Sequence, residues 1–318
     1  MSDSLYAIRN FRPEDFSGYV RLNAEVEKVE PTGRRTSPQV LSERLGQPGY
    51  LPERDLFIAE VAGEVIGYMD VRPELGIGRV LLDCLVHPRQ RRKGVATALF
   101  RYAIRRAGEL GASLAHVNVA EDNAAAKGLL SKLGFRFVRR FLELRLELSK
   151  VHLPEDEELA LPCRHLQRGE EDKLAEMQNR AFADTWGYNP NTVEEVVYRL
   201  NAINRSPEDV ILVCKGDKAV GYCWTATNVE EQAAGATNKG RVYMLGVDPD
   251  HQAKGKGIGK RVLLAGLAHL KSKGIEVVEL TVDSENEAAC ALYESVGFKV
   301  SSTSVWYEKA VAYHTGAT

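Results

Sequence analysis

The residues best placed to do chemistry lie in two short loops rich in glycine and basic side chains. One reads Gln252-Ala253-Lys254-Gly255-Lys256-Gly257-Ile258-Gly259, the other Arg91-Arg92-Lys93-Gly94-Val95-Ala96. Each follows a Val-x-Pro exit from an apolar run, Val247-Asp248-Pro249 and Val86-His87-Pro88, and each leads into a helical pattern. Glycine removes side chains that would hold an anion away from the main chain, so successive N–H groups can converge on phosphate oxygens. A helix starting there adds its dipole, about 0.3–1 kcal/mol at an exposed end. Lys254, Lys256, Arg91, Arg92 and Lys93 supply mobile positive charge. The chemistry expected is the grip of a nucleotide diphosphate. Neither loop has the Gly-x-x-x-x-Gly-Lys-Ser/Thr pattern of a nucleoside triphosphate loop. Neither opens a βαβ unit with an acid placed for a ribose.

The elements that must position these loops occur twice. Val86-His87-Pro88, Gly94, Asn123-Ala124-Ala125-Ala126 and Leu133-Gly134-Phe135 recur, in order and at near-constant spacing, as Val247-Asp248-Pro249, Gly255, Asn286-Glu287-Ala288-Ala289 and Val296-Gly297-Phe298. Ahead of each loop stand two strands with a tight connection, 56–61 with 65–71 and 210–215 with 219–227, then a third strand, 80–86 or 241–247. After each loop comes a helix. Val95, Ala98, Leu99, Tyr102 and Ala103 keep i, i+3, i+4 spacing, as do Ile258, Val262, Leu263, Gly266, Leu267 and Leu270. A strand (114–120; 277–283) and a helix from Asn123 or Asn286 complete the unit. Between the copies, 149–162 carries Pro154, Pro162 and the acidic run 155–158, which is linker composition. The expected domains are 1–154 and 155–318.

Bulk properties agree with two globular domains. The chain has 318 residues, 44% hydrophobic and 27% charged. A net charge of -2 gives no global pull toward nucleic acid or an anionic membrane, and neither is expected as a partner. No run of eighteen apolar residues occurs, and the first twelve residues include Asp3, Arg9 and Arg12 rather than an apolar leader, so a cytoplasmic protein is expected. Cys84, Cys163, Cys214, Cys223 and Cys290 are scattered, and neither a disulfide framework nor a metal site follows from their spacing.

The coupled motifs resemble the GNAT superfamily of N-acetyltransferases. Its acetyl-CoA loop, Gln/Arg-x-x-Gly-x-Gly/Ala, is matched by Gln252, Gly255 and Gly257 and by Arg91, Gly94 and Ala96. Its second signature, Asn-x-x-Ala-x-x-Leu-Tyr followed by Gly-Phe, is matched by Asn286, Ala289, Leu292, Tyr293, Gly297 and Phe298. The resemblance covers most of both halves. It implies an α/β (α+β) class, with two tandem domains each built on a mixed, mostly antiparallel sheet flanked by helices. It also implies acetyl-CoA as co-substrate and an amine acceptor. By the same likeness the backbone of Leu245, Gly246 and Val247 pairs with the pantetheine arm, Gln252, Ala253, Lys254, Gly255, Lys256, Gly257 and Ile258 hold the diphosphate, and Asn286 lies beside the arm. Arg91, Lys93, Gly94, Val95 and Ala96 form the corresponding loop of the first half.

The resemblance places Tyr293 where a phenol protonates the departing thiolate. The first half has Leu130 there, which can donate no proton, so its domain is expected to be non-catalytic. The C-terminal half further resembles the mycothiol synthase family, which has a Glu two residues before the strand tyrosine as its base; here that position is Arg241. Other candidate bases are Asp283 and Glu279, which share a strand face, and Glu230 or Glu231. Trp186 and Tyr188, in an aromatic turn between early helices, are the expected acceptor-pocket residues. The expected function is acetyl transfer from acetyl-CoA to a small primary amine in the C-terminal domain. Acetylation of protein N-termini or ribosomal proteins, and non-catalytic acyl-CoA binding, are the alternatives.

Overall fold

Alternating apolar runs broken by two-residue turns give each half its sheet. The computed structural model describes residues 6–151, 153, 162–203, 205–227, 238–251 and 257–312. The chain groups into two units, Met1–Arg139 with Val305–Thr318, and Arg140–Ser304. The expected boundary near residue 155 lies outside the described residues. The spatial grouping follows instead from two long strands, β6 (Arg136–Glu147) and β12 (Lys299–Ala310). Residues 140–147 belong with the second unit and 305–312 with the first.

In the first unit β1 (Ala7–Asn10), β2 (Leu56–Val61), β3 (Glu64–Glu74) and β4 (Arg79–Val86) run antiparallel in that order. Ala62 and Gly63, both at positive φ, make the two-residue turn that suits the twist of β2 and β3. The helix α4 (Val95–Glu109) then carries the chain across to β5 (Leu114–Ala120), parallel to β4. One face is covered by α1 (Phe16–Val29) and α2 (Pro38–Leu45), burying Tyr19, Leu22, Val26 and Leu41 on Leu56, Ile58 and Tyr68. The other is covered by α4 and α5 (Ala124–Lys132), with Val95, Leu99, Phe100, Ala103 and Leu130 in its core. A four-residue helix, α3 (Pro52–Asp55), leads into β2.

The second unit repeats this plan. β7 (Cys163–His165), β8 (Val210–Lys215), β9 (Lys218–Thr227) and β10 (Lys239–Val247) are antiparallel, and α8 (Ile258–Ser272) crosses to β11 (Val277–Asp283), parallel to β10. Residues 141–147 of β6 then pair antiparallel with β11. Over one face lie α6 (Glu171–Ala181) and α7 (Val193–Leu200), packing Leu174, Val196 and Leu200 on Leu212, Tyr222 and Trp224. Thr192 and Glu195 start α7 with a reciprocal capping box. On the opposite face Val262, Leu263, Leu267 and Leu270 of α8 meet Val220, Val242 and Val278, with Tyr293 of α9 (Glu287–Val296) in the same core. All the strands expected from sequence fall within observed strands.

Period two sorts β6 and β11 into two faces. Leu142, Leu144 and Leu146 oppose Val282, Leu280 and Val278 on the apolar side. Phe141, Glu143 and Arg145 oppose Asp283, Thr281 and Glu279 on the polar side.

Candidate active site

The parallel ladder between β10 and β11 has only three steps, ending at Arg241 opposite Glu279. Beyond that point the strands diverge, while β10 stays paired with β9 through Leu245 to Cys223, Gly246 to Tyr222 and Val247 to Gly221. A strand without a neighbour along one side can take an extended ligand as its next strand. The first unit has the same split after Leu82 and Val117. The expected pantetheine-pairing residues Leu245, Gly246 and Val247 all lie past the split.

The second diphosphate loop, Gln252, Ala253, Lys254, Gly255 and Lys256, lies outside the described residues, as do Glu230 and Glu231. Its end is visible: Gly257 takes φ +62 as N-cap of α8, and Ile258 is buried. The first amides of a helix have no intrahelical acceptor and point back into such a loop. The first loop is described in full. Arg92 and Gly94 take left-handed φ values of +63 and +85, a succession that gathers amides into an anion-sized concavity. Val95 is buried in the core and Ala96 half-buried. Arg91 is engaged, donating to the Glu30 carboxylate at 2.7 and 2.8 Å and to the Val86 carbonyl at 3.1 Å; Lys93 donates to Gln90.

Asn286 turns out to be the N-cap of α9, its side-chain oxygen accepting from the Ala289 amide at 3.1 Å. Asn123 caps α5 through Ala126 in the same way. The repeated Asn-x-x-Ala signature therefore has a local cause, one orphan helix amide satisfied in each repeat. Tyr293 is 8% exposed, edge-on to Phe298 at 5.7 Å. Burial raises its pKa well above that of a free phenol, so it stays protonated.

The carboxylates divide by partner. Glu279 pairs with Lys239 at 3.8 Å, and Asp283 accepts from the Glu285 amide. Arg241 is held by Glu143 through its two terminal guanidinium nitrogens, at 2.6 and 3.1 Å, and also donates to the Thr281 hydroxyl, which itself donates to Glu143 at 2.6 Å. Trp186 approaches Phe141 on the polar face, 6.1 Å between rings. Tyr188 donates to Asn179 at 2.8 Å, accepts from Asn191 at 3.0 Å and stacks on Phe182. Burial pushes the Tyr188 pKa up to about 12.

One phenol of the repeat differs between the two units. Tyr222 of β9 and Tyr68 of β3 follow the same glycine of the repeat, and both are fully buried. Tyr68 donates to Asn23 and accepts from Arg34. Among the described residues Tyr222 has no hydrogen-bond partner, a condition shared in the first unit by Tyr19 and Tyr50 but not by Tyr68. Burial, then the neighbouring Tyr188, Cys223, Tyr243 and Tyr293, keep its pKa far above that of a free phenol, so it too stays a donor. Its ring lies against Gly246 of β10, in the core beneath α6 and α7. In the first unit an ion network lies beside Tyr68: Arg34 and Arg44 both bind Asp83, and Arg44 also binds Asp70. Burial raises the Asp83 pKa, and the two guanidinium groups lower it by more, leaving it well below the usual carboxylate range.

Glu143, Thr281, Phe141 and Tyr222 are site residues that sequence reading did not single out. Glu143 and Phe141 belong by sequence to the first repeat. The usable signals were a charged Arg241 inside a strand, which demands a partner, and the recurrence of Gly-Tyr at 67–68 and 221–222.

The pattern of the acetyltransferase (GNAT) family matches residues 21–135 and 172–298. The chain is 31% identical over 274 residues to the mycothiol acetyltransferase of Nocardia farcinica, covering 83% of this chain and 84% of that protein. It is 31% identical over 306 residues to that of Actinosynnema mirum, covering 93% and 96%. A GCN5-related N-acetyltransferase from Sphaerobacter thermophilus superposes with a TM-score of 0.74 at 22% identity, covering 98% of this chain and 97% of that one. A tandem GNAT protein from the clavulanic acid biosynthesis pathway superposes with 0.72 at 16% identity, covering 96% and 99%. These two likenesses show the fold. The class so defined is the tandem-domain acyltransferases that use acetyl-CoA. The chain belongs to the acetyltransferase (GNAT) family. No helix among the described residues is long and apolar enough to cross a membrane.

Proposed function

We propose that the second unit transfers an acetyl group from acetyl-CoA to a primary amine on a small molecule by direct attack, and that the first unit is non-catalytic. The observation that carries this reading is the Tyr222 hydroxyl. A buried phenol without a partner costs about 1–3 kcal/mol, and its ring lies against Gly246 in the stretch of β10 past the split, whereas its first-unit counterpart is satisfied by Arg34 and Asn23. Leu130, buried in the first unit's core, gives that unit no phenol in the Tyr293 position. The mycothiol acetyltransferase relatives, named for a small-molecule product, support a small acceptor.

In the step proposed, the neutral amine nitrogen bonds to the thioester carbon, the carbon–sulfur bond breaks, and the thiolate takes a proton. Tyr293 donates toward the sulfur, and the proton shed by the amine nitrogen restores the balance through solvent. A thiol near about 8.5 and a phenol near about 10 make full transfer uphill by about 2 kcal/mol, and the buried Tyr293 raises that further. Its contribution is therefore a hydrogen bond that strengthens as charge develops on sulfur. Leu245, Gly246 and Val247 hold the pantetheine arm as a neighbouring strand would, and the loop ending at Gly257 holds the diphosphate. Arg241, a donor without an acceptor site and fixed on Glu143, has no part in these proton movements.

The test is release of free CoA thiol with a panel of small amines, alongside native mass measurement of acetyl-CoA binding. Thiol release that depends on the amine supports transfer; binding without release, across the panel, would sink it.

A further inference from the structure

The Arg241–Glu143 pair has no task in the transfer step above. Its side chains are 34% and 26% exposed, so the pair is reachable from solvent yet ordered by the Thr281 hydroxyl. Arg241 is the last paired residue before β10 and β11 part. Glu143 is directly across from Thr281, and Phe141, two residues earlier on the same face, meets Trp186. The pair thus lies at the mouth of the split, with two aromatic rings farther along the same face. Of the five guanidinium N–H groups, the bonds to Glu143 and Thr281 occupy three, leaving Nε and one Nη1 hydrogen for a ligand.

A simple amine here would meet Glu143 but set its cation beside Arg241. An acid without an amine would do the reverse. A ligand carrying both charges on adjacent carbons meets each member of the pair with its opposite, which is the arrangement that selects a partner by charge. We propose that the acceptor is an α-amino acid, its ammonium received by Glu143, its carboxylate by Arg241, and its side chain beside Phe141 and Trp186. This rests on the acetyltransferase reading. The bound ammonium gives a proton to solvent to become the neutral nucleophile; no other bond changes are added to the step.

The experiment measures thiol release by the full chain with the proteinogenic amino acids, each set against the amine left when its carboxylate is removed. At least one amino acid is expected to exceed its amine by about tenfold in kcat/KM, mostly through KM. Arg241→Gln is expected to erase that preference, and Arg241→Lys to restore part of it; thermal melts show that both variants fold. Wild-type protein that uses the decarboxylated amines as well as the amino acids, or an Arg241→Gln protein that keeps the preference, overturns the inference and leaves the acetyltransferase reading standing. Bound acetyl-CoA with no thiol released by any compound overturns both.

Discussion

Gly246 lies opposite Tyr222 across the β9–β10 ladder, so close that a β-carbon there would sit 2.5 Å from the Tyr222 ring. The glycine makes room for a large aromatic ring against the strand that borders the split. Gly246→Ala is expected to cost about 1–3 kcal/mol, the usual penalty for overpacking, and to lower turnover together with stability. Urea unfolding checks the first effect and thiol release the second.

Tyr293→Phe keeps the ring and its contact with Phe298 while removing the proton. Loss of one hydrogen-bond donor aimed at developing charge commonly costs about a hundredfold or more in rate, so kcat is expected to fall by that order with acetyl-CoA affinity unchanged. A variant as fast as the parent would end the donor role.

The ion network of the first unit is expected to be a stability device. Arg44→Leu removes the cation that Asp70 and Asp83 share, leaving Asp70 with Arg72 and Asp83 with Arg34, so the cost is expected below the about 3–5 kcal/mol of a fully broken buried pair. Denaturant titration should show that loss, while kcat of the folded fraction stays within about twofold, as expected for a site apart from the chemistry. A large change in kcat would show that the first unit takes part.

Glu170 gives a pH signature. Its hydrogen bond from Arg164 lowers its pKa from 4.5 to about 2. A carboxylate lowered on folding contributes stability that is complete above the unfolded value and drains away as pH falls through the folded one. The parent should therefore lose stability between about 4.5 and 2, and Glu170→Gln should be flatter across that window in acid unfolding curves.

Local physics made much of this legible. Periodicity located the strands and the α4 and α8 helices, because burial of one face is written in every second or fourth residue. Glycine marked the two loops for close approach of an anion to the main chain, and Gly94 and Gly257 take left-handed backbone there, which sequence reading had not specified. Asn123 and Asn286 drew notice as a motif, although their visible work is capping. Contacts between residues far apart in sequence were not legible. Nothing near Arg241 in the chain points to Glu143, 98 positions away. Tyr222 and Tyr68 look alike as letters, and only their surroundings separate a satisfied phenol from an unsatisfied one.

The placement of residues 140–147 has a practical corollary for anyone cutting the protein in two. A fragment made from 155–318, the division the repeats invite, would discard the strand that pairs with β11 along Val277–Asp283 and take Glu143 and Phe141 with it. The flank so bared would be a row of unsatisfied amides and carbonyls, the usual seed of strand-to-strand clumping. A usable C-terminal fragment has to start ahead of Arg140, within what sequence alone would count as the other copy.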